Sequence, residues 1–268
     1  MEKQIIGRGL LAGAVAGVFA FAFAKIFLEP VIGRAIDFED GTSAAHEAME
    51  LAAGGHSHAE EGGELFSRGI QSTIGMGFGV VFFAIAMSAL FAVVFAVAYG
   101  RVGNVSARVL SVQVAAGMLI SLWIVPALKY PPNPPATSDD ATIFQRSLLY
   151  LLMVGLSAIL MVAAVYLGRQ LAPKLGAWNA TLVGGASYLV AVFVVMLILP
   201  TINETPGPIV DDGGVIVFPG FPAVDMYEFR LYTFTTQLII WTTIGLVFAA
   251  LISKVLDGRR NAEASVTA

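Results

Sequence analysis

The residues best equipped for chemistry sit in one polar stretch. His46, His56 and His58 are the only histidines in the chain, and Glu50, Glu60 and Glu61 lie among them. Neutral imidazole together with carboxylate suits divalent first-row cations such as cobalt, nickel and zinc. The chain has no cysteine, so no thiolate is present to favour copper(I). His46 and Glu50 are four residues apart and share a face if Ser43 to Ala53 is a short helix, with Ser43 as N-cap and Gly54-Gly55 as its end. His56-Ser57-His58, followed by Glu60-Glu61 on a glycine-flanked segment, has the donors and the freedom to wrap a cation. Upstream, Glu29, Asp37 and Glu39 are the acids nearest the apolar stretch before them. The alternative is a solvated acidic linker whose histidines are incidental, because histidine-rich composition alone binds metal.

Much other chemistry is excluded. Without cysteine there are no disulfides, thiol nucleophiles or thiolate-held clusters. No phosphate-binding Gly-x-x-x-x-Gly-Lys-Ser/Thr loop occurs, and no nucleophile elbow accompanies the histidines, so an enzyme is not expected. A net charge of -4 argues against nucleic acid as a partner.

The frame for these residues is a membrane. Hydrophobic residues make up 57% of the 268 and charged residues only 13%, with a mean hydropathy of +0.80, well beyond soluble usage. A bilayer core about 30 Å thick needs about 20 apolar residues per helix. Six runs qualify: Gly7 to Leu28, Ile74 to Val97, Val109 to Leu128, Leu148 to Leu167, Leu182 to Leu199, and Leu231 to Ile252. The expected fold is an all-α polytopic bundle of six transmembrane helices. It falls to five if the signal-like start ending Ala22-Phe23-Ala24 is cleaved, although the apolar run continues through Leu28 and favours retention.

Six spans put both termini on one side, and charge chooses the side. Lys3, Arg8, Arg101, Arg108, Arg169, Lys174, Lys254, Arg259 and Arg260 fall on the termini side, which is therefore expected to be cytoplasmic. Fifteen of the 19 acids fall in the opposite connectors. The whole of 1–268 is thus one membrane domain. Its outer connectors are an acidic, His-bearing loop at 30–69, a Pro-rich strap at 129–146, and a loop at 200–230 in which Asp211 to Gly214 suggests a β-hairpin.

Within the first span, Gly9, Gly13 and Gly17 recur every four residues beside Ala12, Ala16, Ala20 and Ala24, a pattern made for close helix packing. Gly75 and Gly79 repeat it in the second span. Lys25 lies one turn before Glu29, and two readings stand: an ion pair at the outer mouth, or a lysine snorkelling to the interface. Among the polar residues within spans, Gln113, Ser121, Ser187 and Gln237 are uncharged candidates. No Asp, Glu or His lies mid-span, which disfavours proton-coupled exchange. A divalent cation entering a negative interior gains about 4.6 kcal/mol per 100 mV, so the potential alone could drive uptake.

The stretch Ala24-Lys25-Ile26-Phe27-Leu28-Glu29-Pro30, the run Arg34-Ala35-Ile36-Asp37-Phe38-Glu39, the strap Pro131-Pro132-Asn133-Pro134-Pro135, Gly220-Phe221-Pro222-Ala223, Phe229-Arg230-Leu231 and Gln237 resemble those of the CbtA family of predicted cobalt transporter subunits. The resemblance implies a polytopic inner-membrane permease for cobalt, tied to cobalamin supply and paired with a small one-span CbtB-like subunit bearing histidines. Family members are commonly described with about five spans. The expected cargo is cobalt, with nickel as its chemical neighbour; the other contacts expected are membrane lipid and that small subunit, with no tightly bound cofactor. Capture is assigned to His46, Glu50, His56, His58, Glu60 and Glu61, and the mouth to Glu29, Asp37 and Glu39. A non-conducting metal-binding or assembly subunit is the rival reading.

Overall fold

A computed structural model describes residues 2–54, 67–103, 105–135, 137–139 and 141–266. Five helices in it are long and apolar enough to cross a membrane: α1 (Lys3–Ala52), α2 (Arg68–Ala98), α3 (Ala107–Lys129), α4 (Ile143–Ile198) and α5 (Ala223–Ser253). The chain is an all-α membrane protein. Its only strands among the described residues are β1 (Ile209–Val210) and β2 (Ile216–Phe218), which pair antiparallel around Asp211. The Asp211 carboxylate accepts from the backbone N–H of Gly213 and of Val215, closing the turn.

The small-residue pattern of α1 acts as expected against α2. A Cβ on Gly9 would stand 2.7 Å from the Cβ of Ala92, one on Gly13 2.7 Å from that of Ser88, and one on Gly17 2.7 Å from the Cα of Val81. Those partners run backward as the glycines run forward, so the two helices are antiparallel with backbones in near contact. Ser88 seals the seam by donating to the carbonyl of Gly9 at 2.6 Å. The same device joins α3 to α5, where Ser111 donates to the carbonyl of Gly245 at 2.7 Å. Gly75 and Gly79 do not share in it: neither meets another helix, and Ala84, Ser88 and Ala92 form the face of α2 that does. Ala12, Ala16, Ala20 and Ala24 are all buried.

Two corrections concern helix ends. The first helix does not stop near Leu28 to give a loop from residue 30 with a separate helix begun at Ser43; it runs unbroken to Ala52. Pro30 lacks the N–H that the carbonyl of Ile26 would receive. A π-turn over Ala24–Leu28, in which the N–H of Glu29 reaches back to the carbonyl of Ala24, absorbs that misfit. Similar π-turns occur at Gln71–Gly75 and Ile120–Ile124. The second correction is that the fourth and fifth apolar runs lie in one long helical stretch, α4, interrupted only at Gly176 (φ 77°), three residues after Pro173. Across that point the halves pack on each other, with Ser157 and Tyr188 hydroxyls 2.7 Å apart and a Cβ on Gly184 placed 2.9 Å from the carbonyl of Ala164. Arg146 near one end of α4 and Glu204 just past the other form a salt bridge, so the chain returns to the end of the bundle it left.

Candidate functional site

The end of the bundle where these connectors meet holds most of the described charge contacts. The extension of α1 past Pro30 is amphipathic. Val31, Ala35, Phe38 and Gly41 lie along one face by their spacing. Val31 and Ala35 are buried, Phe38 rings meet those of Phe218 and Phe221, and a Cβ on Gly41 would lie 2.5 Å from the Phe218 ring. Arg34 fastens the extension to the start of α5, its Nε donating to Asp225 at 2.7 Å and its Nη2 to Glu228.

A neighbouring face of the extension is exposed and acidic. Glu39, His46 and Glu50 are spaced seven and four residues apart and so fall on one stripe of the helix, all exposed; Asp40 and Glu47 flank it. Asp37 is exposed too, but turned well away from that stripe by its position in the helical repeat. Glu29 is not part of it, for its carboxylate accepts from Arg68 at 2.8 Å. His56, His58, Glu60 and Glu61 lie outside the described residues. Among the described residues no three His, Asp or Glu side chains converge on a common point that could hold a metal ion. Of the expected capture residues only His46 and Glu50 are described, and Glu39 from the expected mouth lines up with them along one helix.

Lys25 adopts neither arrangement open to it from sequence. Its ammonium donates to the backbone carbonyl and the hydroxyl of Ser72, each at 3.1 Å, bridging the π-turns of α1 and α2. Glu29 is thereby free for Arg68. Two widened helical turns, each with a polar side chain aimed at the other, tie α1 to α2 at this end.

A second network went unmarked in the sequence. Glu204 has a side chain only 1% exposed, yet it is ionically paired with Arg146 at 3.0 Å and accepts from the Thr142 hydroxyl at 2.8 Å and the Asn133 amide at 3.4 Å. Arg146 also donates to the carbonyl of Pro131, while Arg230 donates to the carbonyl of Pro132 and to Asn133 Oδ1. Proline-rich backbone offers carbonyls without competing N–H groups, which suits it to receive two guanidinium groups. Tyr130 closes the strap by donating to the carbonyl of Pro200 at 2.8 Å, and burial pushes its phenol above the ordinary value, so it remains a donor at neutral pH. Beside it lies a cavity of about 400 Å³, lined by Trp123, Tyr130, Arg146 and Tyr150 among others.

Long apolar helices, seams closed by glycine and a helical extension with exposed acids at one end define an integral membrane protein with a charged collar. The chain belongs to the CbtA family: the family model described as probable cobalt transporter subunit (CbtA) matches residues 2–253. Neither the comparison with curated proteins nor that with solved structures finds a match.

Proposed function

We propose that this chain carries cobalt inward across the cell membrane, in support of cobalamin supply, and that the acidic face of α1 gathers the ion before entry. The observation that carries the reading is the family membership over residues 2–253, joined to a stripe of Glu39, His46 and Glu50 exposed at the collar. In this reading α4 crosses twice, turning at Gly176, which makes six crossings with both termini in the cytoplasm of an inner membrane. The collar then faces outward. Acids there raise the local cation concentration, and His46 supplies the nitrogen that distinguishes a transition metal from calcium or magnesium. His56, His58, Glu60 and Glu61 would add donors to the same capture step, while Asp37 and the Glu29–Arg68 pair stand nearer the membrane.

The test is radioactive cobalt uptake by proteoliposomes holding this chain alone, under an interior-negative potential. Accumulation that rises with the potential and is competed by nickel less well than by cobalt supports the reading. Empty vesicles would overturn conduction by the chain alone. The rival, a non-conducting subunit that needs a small one-span partner of the CbtB kind, has one observation in its favour: the α1–α2 and α3–α5 seams are closed by direct backbone contact. Co-reconstitution with such a partner separates the two.

A further inference from the structure

The inner face of α5 carries hydrogen-bonding capacity that nothing in the described structure uses. Thr233 Oγ1 and Trp241 Nε1 are both buried without a partner among the described residues. Trp241 is only 2% exposed. Gln237, half-buried, lies between them, and its amide makes no hydrogen bond among the described residues. The three are spaced four residues apart and therefore form one row along the helix. Ile240 and Ile244, fully buried, flank the row, so it faces into the bundle, where α5 packs on α1 and α3. Leu238 and Phe234, off the row, are exposed to the surroundings.

The usual explanation of a hydroxyl in a membrane helix is a bond to its own backbone one turn back. That holds for the neighbours, since Thr235 donates to the carbonyl of Leu231 and Thr236 to that of Tyr232. Thr233 makes no such bond. An indole N–H can only donate, and inside a membrane no solvent is at hand to accept unless water enters. At 1.5 Å per residue the row runs about 12 Å along α5, and Trp241 sits about 15 Å from Leu231, half the depth of the hydrocarbon core.

We propose that Thr233, Gln237 and Trp241 line a narrow hydrated route along α5, by which a partly hydrated divalent cation passes from the collar to the middle of the membrane. The proposal rests on the uptake reading for its cargo. Thr233 and Gln237 supply neutral oxygens to the ion, and the Trp241 N–H donates to a water in its shell. Neutral oxygens hold a divalent ion weakly enough to release it, whereas a carboxylate at the same depth would trap it.

The experiment uses the absence of cysteine from the chain. Single variants Thr233→Cys, Gln237→Cys, Phe234→Cys and Leu238→Cys are reconstituted at full length and treated with a membrane-impermeant thiol reagent, with and without cobalt. The expected result is labelling at 233 and 237, slowed about tenfold by cobalt, with 234 and 238 unreactive. Equal silence at all four positions overturns the route. Labelling that cobalt leaves unchanged overturns the passage of the ion along it. The labelling does not require transport, so a water-lined row in a protein that fails to accumulate cobalt would sink the uptake reading while leaving the route standing. As a second measurement, Gln237→Leu and Thr233→Val are expected to lower cobalt uptake about tenfold without changing helical content, and unaltered uptake in both counts against the proposal.

Discussion

Arg146 and Glu204 stand 3.0 Å apart although nearly all of α4 lies between them. The pair reports that α4 doubles back, and it anchors the strap and the following connector to one point. Removing one partner of a buried pair leaves an uncompensated charge, which costs about 3–5 kcal/mol. Arg146 keeps some solvent contact at 18% exposure, so Glu204→Ala is expected to cost about 3 kcal/mol, read as a lower melting temperature in detergent. The double variant with Arg146→Ala should recover part of that loss. An unshifted melting curve for Glu204→Ala would show the network to be incidental.

The α1–α2 seam makes a sharper steric prediction. Gly13→Val places its first carbon 2.7–2.8 Å from the Ser88 Cβ, the Ala84 carbonyl and the Ile85 Cα, two of which are backbone atoms that cannot swing aside. Overpacking of this kind costs about 1–3 kcal/mol. A Cβ on Gly7 of the same helix would meet nothing within 4 Å, so Gly7→Val serves as the control. Thermal unfolding should separate the two variants clearly, and equal stabilities would mean that α1 and α2 pack differently.

These contacts show which parts of the molecule could be read from residue types. The apolar runs, the glycine row of α1 and the Asp211 turn each depend on residues close in sequence, and each was legible. Helix continuity past Pro30 was not, because a proline there reads as a stop unless a π-turn relieves it, and π-turns leave no local signature. The Lys25–Ser72 contact, the Arg34 clamp and the Glu204 network join residues far apart in the chain. Glu204 read as one more surface acid; only the convergence of three connectors buries it. The unpaired state of Trp241 is invisible in sequence, since whether an acceptor faces its indole depends on helices far away along the chain.

The collar array predicts graded metal capture. His46 and Glu50 are exposed on α1 and bear no described structural contact, so His46→Ala should leave the melting temperature unchanged. It should weaken cobalt binding several-fold by isothermal titration, because losing one ligand of a loose site costs about 1 kcal/mol or a little more. The triple variant of His46, His56 and His58 to alanine should weaken it further. Full cobalt affinity in that triple variant would remove histidine from the capture step.

Gly176 turns α4 with φ at 77° and ψ at 159°, a conformation essentially confined to glycine that costs a side-chain-bearing residue about 1–3 kcal/mol. Gly176→Ala is therefore expected to destabilise by about 1–3 kcal/mol although a Cβ there would touch nothing within 4 Å. The same turn carries the orientation. If α4 crosses twice, the exposed Lys174 lies on the side opposite the exposed Asp212 in the hairpin. Lys174→Cys and Asp212→Cys, each the sole thiol in its chain, can be probed in intact cells with an impermeant reagent. Asp212→Cys should label at once, and Lys174→Cys only after permeabilisation. Labelling of both from outside would mean that α4 does not cross. The reverse order would put the acids in the cytoplasm, where a surface that concentrates cations would collect them at the exit and oppose inward movement.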